Sequence, residues 1–423
     1  MGFRMRVRNS YFRKGVLIAA SGLAMLIPAL CVGQTNFINN DFTVAEKQYR
    51  NLLKTSTDIT QFPRTTNKDG AVVSTDVWDW TQGFFAGGLW YIYEYTGKPE
   101  WKAAATKWTE ALEQAQFLTQ HHDVGFVMYC SYGNAIRFEK DPKKLELYHK
   151  ILIQSAESAL TRFDPKVGLI KSWNTKASWD KKTTWKFPVI IDNMMNLEML
   201  CYVSKLTGNS KYKDVAISHA LNTMKYHFRP DFSTYHVVDY APDGKVLHQQ
   251  TNQGYSDNST WARGQGWAIY GFTMMYRETK DKRFLNAAQK AADFYINHPN
   301  LPKDKIPYWD FNAEQKGYKP DFDYKANKLS YIPRDASAGS LTASALLELS
   351  TFAKDGKKYF TQAELMLKSL SGNGYLAKPG TNGGFVLKHS VGSLPHKSEI
   401  DVPLIYADYY FLEALLRYQK IKG

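Results

Sequence analysis

Cysteine is scarce: Cys31, Cys130 and Cys201 are the only three in 423 residues. That excludes a disulfide-stapled fold and a cysteine-rich metal site, and leaves open a single Cys130–Cys201 bridge. There is no Walker loop, no G-x-S-x-G elbow and no H-E-x-x-H pair. The ten histidines show no metal-ligand spacing, so no metal and no other cofactor is expected. No dense Lys/Arg tract accompanies the net charge of +14, which argues against a nucleic-acid partner. Beyond the N-terminus no apolar run reads as a membrane span. No low-complexity linker divides residues 45–423, so one catalytic-size domain is expected there.

The N-terminus reads as an export signal. Arg4, Arg6, Arg8, Arg13 and Lys14 precede the apolar run 16-VLIAASGLAMLIPAL-30 and the small residues of 31-CVG-33. Cleavage after about Gly33 leaves a catalytic domain over 34–423, exported to the periplasm or the medium. Lipidation at Cys31 is the alternative anchor, but Leu30 is bulkier than the residue that usually precedes a lipidated cysteine. The signal carries five basic residues and no acid, so its loss takes the formal charge from +14 to +9. A basic exported protein favours an anionic partner, and acidic carbohydrate fits better than nucleic acid. Eleven Trp and 27 Tyr supply flat faces suited to cores and to sugar rings alike.

What the chain has in quantity is helical periodicity. Apolar residues recur at three- and four-residue steps in 147-LYHKILIQSAESALTRF-163, 285-LNAAQKAADFYINH-298 and 341-LTASALLELSTFA-353. Similar junctions recur at 95-YTGKPEWKAAA-105, 206-LTGNSKYKDVA-216, 278-ETKDKRFLNAA-288 and 352-FAKDGKKYFTQA-363. Each is a polar turn, then an aromatic, then small residues opening a helix. Stacked α-hairpins follow, and their uneven spacing favours an α/α toroid or an irregular solenoid over a short-repeat array. The aromatic, polar stretch 299–328 reads as a functional loop on one rim.

Candidate chemistry centres on two acids. Asp192 in 189-VIIDNMMNLEML-200 sits among apolar residues, either as a helix N-cap or first-turn acid or, with Asn196 on the same helical face, as part of a pocket lining. Asp123 in 121-HHDVGFVMY-129 reads as a turn residue or as a second carboxylate for acid/base work. The segment 251-TNQGYSDNSTWARGQGWAIYGF-272 offers Gln253, Trp261, Arg263, Gln265 and Trp267 as a binding wall, with Arg263 able to fork two hydrogen bonds to a carboxylate, against the alternative of a helix start with Trp in the core and Arg263 paired to an acid. His236 and Trp80 are weaker candidates.

Taken together, 78-WDWTQGFFAGGLW-90, 121-HHDVGF-126, 190-IIDNMMNL-197, 253-QGYSDNSTWARGQGWAIYGF-272 and 401-DVPLIYADYYFLEAL-415 closely resemble the unsaturated glucuronyl hydrolases, glycoside hydrolase family 88, in the same order from about residue 45 to 420. The resemblance implies an (α/α)6 toroid and removal of a 4,5-unsaturated uronic acid from the non-reducing end of lyase-generated oligosaccharides. It places the acid/base aspartate on Asp192 and a second essential aspartate on Asp123. It puts substrate- or water-positioning groups on His236 and Gln253, and a sugar-site lining on Trp80, Trp173, Trp261, Arg263 and Trp267. The segment 389-HSVGSLPHKSEIDVP-403 falls where members differ in handling sulfate. There Ser390, Ser393, His396 and Lys397 are candidates to meet a sulfate or carboxylate on the neighbouring sugar, against the alternative of a solvated loop. Two further readings stand beside this one: an unsaturated rhamnogalacturonyl hydrolase acting on pectin fragments, and a non-catalytic protein that binds acidic sugars.

Overall fold

A computed structural model of the chain describes residues 29–423, with side chains described from Phe37. Most of the stretch expected to be an export signal, and the side chain of Cys31, lie outside the described residues. Twelve helices alternate between an outer and an inner ring. The outer ones are α1 (Ala29–Thr55), α3 (Pro99–Glu110), α5 (Pro142–Leu160), α7 (Lys211–Tyr226), α9 (Lys282–Asn297) and α11 (Gly356–Leu370). The inner ones are α2 (Gln82–Thr96), α4 (Val124–Ala135), α6 (Leu197–Thr207), α8 (Ala262–Thr279), α10 (Ala336–Ser350) and α12 (Ile405–Lys422). Each inner helix packs on the next, and α12 returns to α2, so the inner ring closes. The molecule is the all-α, (α/α)6 toroid expected from the sequence.

Sequence explains the sorting. In α9 the buried positions are Phe284, Ala287, Ala288, Ala291, Ala292, Tyr295 and Ile296, one stripe at helical spacing, and Asp281 caps the start by accepting from the Arg283 N–H at 2.9 Å. A one-sided stripe makes an outer helix. In α10 nearly every residue from Ala336 to Leu349 is buried, as a helix apolar on all sides requires. The recurring junctions are the inner-to-outer turns. Gly97 and Gly208 close α2 and α6 in the left-handed conformation, as does Lys280 after α8.

All these tight turns lie at one end of the toroid. The longer outer-to-inner connections gather at the other, with every inner N-terminus. Short antiparallel strands run through them: β1 (Phe62–Thr66) with β2 (Val72–Thr75), and β3 (Lys176–Ala177) with β4 (Thr184–Trp185). A three-stranded sheet joins β5 (Pro188–Ile190), β6 (Val237–Tyr240) and β7 (Val246–Gln250), with Ile190 opposite Val237. The last pair is β8 (Ser390–Ser393) with β9 (Ser398–Val402). Runs of two to five residues are too short for a period of two to stand out in sequence. Among the described residues no helix is long and apolar enough to cross a membrane. Cys130 and Cys201 are buried free thiols, so the bridge left open above does not form.

Candidate active site

Each inner helix brings candidate or neighbouring side chains at or just before its first turn: Trp80, Asp123, Asp192, Trp261 with Arg263, Asp335 and Tyr406. Helix N-termini carry partial positive charge, so their convergence favours an anionic ligand. Asp192 does not cap a helix. It lies in the first turn of a 3-10 segment, Ile191–Asn196, that leads into α6, and its side chain makes no capping bond. Its Oδ2 has no hydrogen-bond partner.

The residues beside Asp192 in sequence pack against other elements of the inner ring. Ile191 lies against Gly264 of α8, Met194 packs on Gly271 of the same helix, and Met195 lines a cavity among the inner helices. Asn196 anchors the start of α4 by accepting from the Phe126 N–H at 2.9 Å. The carboxyl group faces His236, with Nε2 3.7 Å from Oδ2, and the indole N–H of Trp267, which favours the charged form without reaching hydrogen-bond geometry. Burial raises Asp192 to about 7, against the pull of Arg263, and the negative charge of Asp123 adds to the rise.

Asp123 sits at the threshold of α4 between two histidines. His121 Nδ1 lies 2.9 Å from Oδ2, and His122 Nε2 lies 3.3 Å from Oδ1. Burial pushes Asp123 up, but His122 and His121, with Arg162 behind, outweigh it and hold the carboxyl below its ordinary range. Burial works against a charge on His121 too, yet Asp123 and the Trp78 carbonyl, 3.1 Å from Nε2, raise it. Burial drops His122 to about 4. The site therefore holds one carboxyl near neutrality and one that stays ionised, the division of labour that acid/base chemistry needs. Gly125 makes this juxtaposition possible: a Cβ there would meet the Asn196 Cα at 2.6 Å.

His236 is a fixed tautomer. Its Nδ1 accepts from the backbone N–H groups of Asn252 at 2.9 Å and Gln253 at 3.2 Å. The proton is thus on Nε2, the nitrogen turned toward Asp192. Burial keeps the ring neutral. Gln253 donates from Nε2 to the Gly392 carbonyl at 3.2 Å. Trp261 lies 4.8 Å from the His236 ring and Trp173 6.0 Å from it. Trp80 and Trp267 pack on Phe126 at 5.7 and 5.2 Å.

Arg263 is placed differently from the free fork expected of it. It is 1% exposed. Nη1 binds Asp335 Oδ2 at 2.9 Å and the Val391 carbonyl at 2.5 Å, and Nη2 binds the Gly392 carbonyl at 2.7 Å. Only Nε is left without a partner. The guanidinium clamps β8 to α8 and α10, and a buried arginine must be paired in this way. Gln265 is structural, donating to the Phe232 and Ala291 carbonyls.

The sulfate-region candidates divide. Ser390 is fully buried inside β8. Ser393 Oγ lies 2.6 Å from His396 Nδ1, and His396 packs on Trp179 at 4.5 Å. Lys397 is exposed in the turn, at φ 54°. The segment is a hairpin and not an irregular loop. The 299–328 stretch lies beside it: Asn327 Nδ2 donates to the Leu394 and Pro395 carbonyls. Its buried Asp310 accepts from Ser259 Oγ at 2.7 Å and the Tyr255 N–H at 2.8 Å, bracing the wall.

Sequence reading missed His121, His122, Asp335 and Tyr406. The pair of histidines before Asp123 was a usable signal; the Arg263–Asp335 pair, 72 residues apart, had none. A partly open cavity of about 270 Å³ lies among the inner helices. Met195, Phe126 and Tyr410 line it, but neither carboxylate does.

The profile of Glycosyl Hydrolase Family 88 matches residues 53–415. An unsaturated glucuronyl hydrolase of Formosa agariphila is 42% identical over 386 residues, covering 91% of each chain. An unsaturated chondroitin disaccharide hydrolase of Streptococcus pyogenes is 31% identical, over 85% of this chain and 86% of that one. A solved structure of an unsaturated glucuronyl hydrolase specific for heparin is similar at a TM-score of 0.82 and 46% identity, over 92% of this chain and 98% of that one.

Proposed function

This chain belongs to glycosyl hydrolase family 88, and on that premise we propose a role for each residue of its site. The protein is a glycosidase that removes a 4,5-unsaturated uronic acid from the non-reducing end of acidic oligosaccharides. Such a sugar is an enol ether. Protonation at C4 builds positive charge at C5 and the ring oxygen; water adds at C5; the hemiketal opens and the glycosidic bond is lost.

Asp192 gives the C4 proton and then, as a carboxylate, takes one from the incoming water. The observation that carries this assignment is its buried, unpartnered Oδ2, facing a histidine that can only donate. Asp123 stays ionised. It raises Asp192 and offers lone pairs to sugar hydroxyls or to the developing positive charge. His236 Nε2–H orients the incoming water or the carboxylate of the unsaturated uronate. Trp80, Trp173 and Trp261 supply faces for the ring, while Arg263 and Trp267 act as packing and field groups behind it.

Heparin-type fragments are the proposed substrates, supported by the greater identity to the heparin-specific relative, 46% against 31% for the chondroitin enzyme. Export to the periplasm or the medium is also proposed, on the basic and apolar N-terminal sequence. The test is to mix the protein with lyase-generated disaccharides and follow the ultraviolet absorbance of the conjugated uronate. Heparin-derived disaccharides should lose it fastest. A faster loss with chondroitin- or pectin-derived fragments overturns the substrate assignment.

A further inference from the structure

With both terminal nitrogens of Arg263 engaged by Asp335 and the β8 carbonyls, the anionic groups of the substrate need another cation. Lys176 is available. It is half-buried on β3, and its ammonium lies 4.8 Å over the face of Trp173. Trp173 in turn stands edge-on to His236, the neighbour of Asp192. Among the described residues no carboxylate pairs with Lys176. Burial lowers its pKa and no acid restores it. Its charge is felt by His236 on the site side and by His396 on the rim side, so it lies within reach of both.

Donors stand on both sides. On the site side Gln253, beside His236, has an amide N–H beyond the one given to Gly392, and on the rim side the Ser393–His396 pair carries hydroxyl and ring N–H groups. The strand that holds Lys176 is fixed. Trp185 of β4, directly opposite Lys176, donates its indole N–H to Gln250 Oε1 at 2.8 Å. Trp179, in the same hairpin, donates to the Asn252 carbonyl at 2.9 Å. A lysine on a pinned strand, partly stripped of water and paired with no carboxylate, is placed to meet an anion.

We infer that Lys176 is a substrate-binding residue of this site, taking a carboxylate or sulfate oxygen group of the unsaturated oligosaccharide between Trp173 and the Ser393–His396 pair. This inference rests on the hydrolase reading above. It assigns to β3 the cationic role that sequence reading gave to Arg263 and to Lys397.

Lys176→Met keeps the side-chain length over Trp173 and removes the charge. Its KM for an unsaturated disaccharide should rise about ten- to hundredfold, the range of a charged hydrogen bond, with kcat little changed. Lys176→Arg should recover most of the loss. Wild-type KM should climb with salt and that of the variant should not.

Two substrates locate the anion. An equal loss on sulfated and unsulfated disaccharides assigns the uronate carboxylate; a loss confined to the sulfated one assigns a sulfate on the neighbouring sugar. Unchanged KM on both overturns the inference, as does an equal loss on the methyl ester of the unsulfated disaccharide, which carries no anion. If Lys176→Met does not fold, Lys176→Gln gives the same readings. If neither folds, an anion-independent structural role is indicated and the inference fails. Wild-type protein that turns over no disaccharide refutes the functional reading instead, so the two failures are distinct.

Discussion

Asp192→Asn should lower kcat by about 10²- to 10⁴-fold, the usual worth of a positioned acid/base group, while the variant still binds the unsaturated disaccharide. The amide has the size of the acid but no acidic proton for C4, and it cannot take a proton from water. Turnover read by ultraviolet loss, and binding read by calorimetry, separate the two effects. The substitution should not destabilise the fold. A carboxyl raised to about 7 binds its proton more tightly folded than unfolded, so its contribution to stability falls as pH rises from about 4 toward 7. Above that range the charged form is the costly one, and the neutral amide should melt at the same or a higher temperature there. A variant close to full activity rules out Asp192 as the proton donor.

Arg263→Met should have the largest effect on stability, about 3–5 kcal/mol, because it leaves one partner of a buried ion pair uncompensated. It would strand Asp335 together with the Val391 and Gly392 carbonyls. Asp335 also caps α10 by accepting from the Ser337 N–H at 3.0 Å, so the damage reaches the inner ring. β8 would lose its tether to α8, and Gln253, which shares the Gly392 carbonyl, would lose register with it. Activity should fall with stability. Arg263 also pulls Asp192 down, so any surviving turnover should extend to higher pH. The denaturant midpoint and the pH profile of the remaining activity check both points. A midpoint within about 1 kcal/mol of wild type, at the small end of single-substitution effects, would mean that the clamp is not structural.

The contrast between these two residues shows what sequence made legible. Helical period and recurring junctions depend on neighbours within a few positions, so the hairpins and the toroid were readable from them. Asp192 and Asp123 were readable as candidates because each sits at a helix start. What faces Asp192 was not, since His236 and Trp267 reach its carboxyl from distant segments. Arg263 was found by its motif and misplaced in its role, because Asp335 lies beyond any local pattern. Lys176 went unnoticed in a polar stretch, where a lysine is ordinarily a solvated surface residue. Only the pinned β3–β4 hairpin makes it otherwise.

The central claim is that Asp192 holds its proton near neutral pH because it is buried beside an ionised Asp123. The direct measurement is a carboxyl titration by carbon NMR, with Asp192 assigned by the signal that disappears in Asp192→Asn. The account predicts a midpoint near 7, falling when Asp123→Asn removes the neighbouring charge, and a kcat/KM that declines above the same pH. A midpoint in the ordinary carboxylate range, near 4, unmoved by Asp123→Asn, would contradict it.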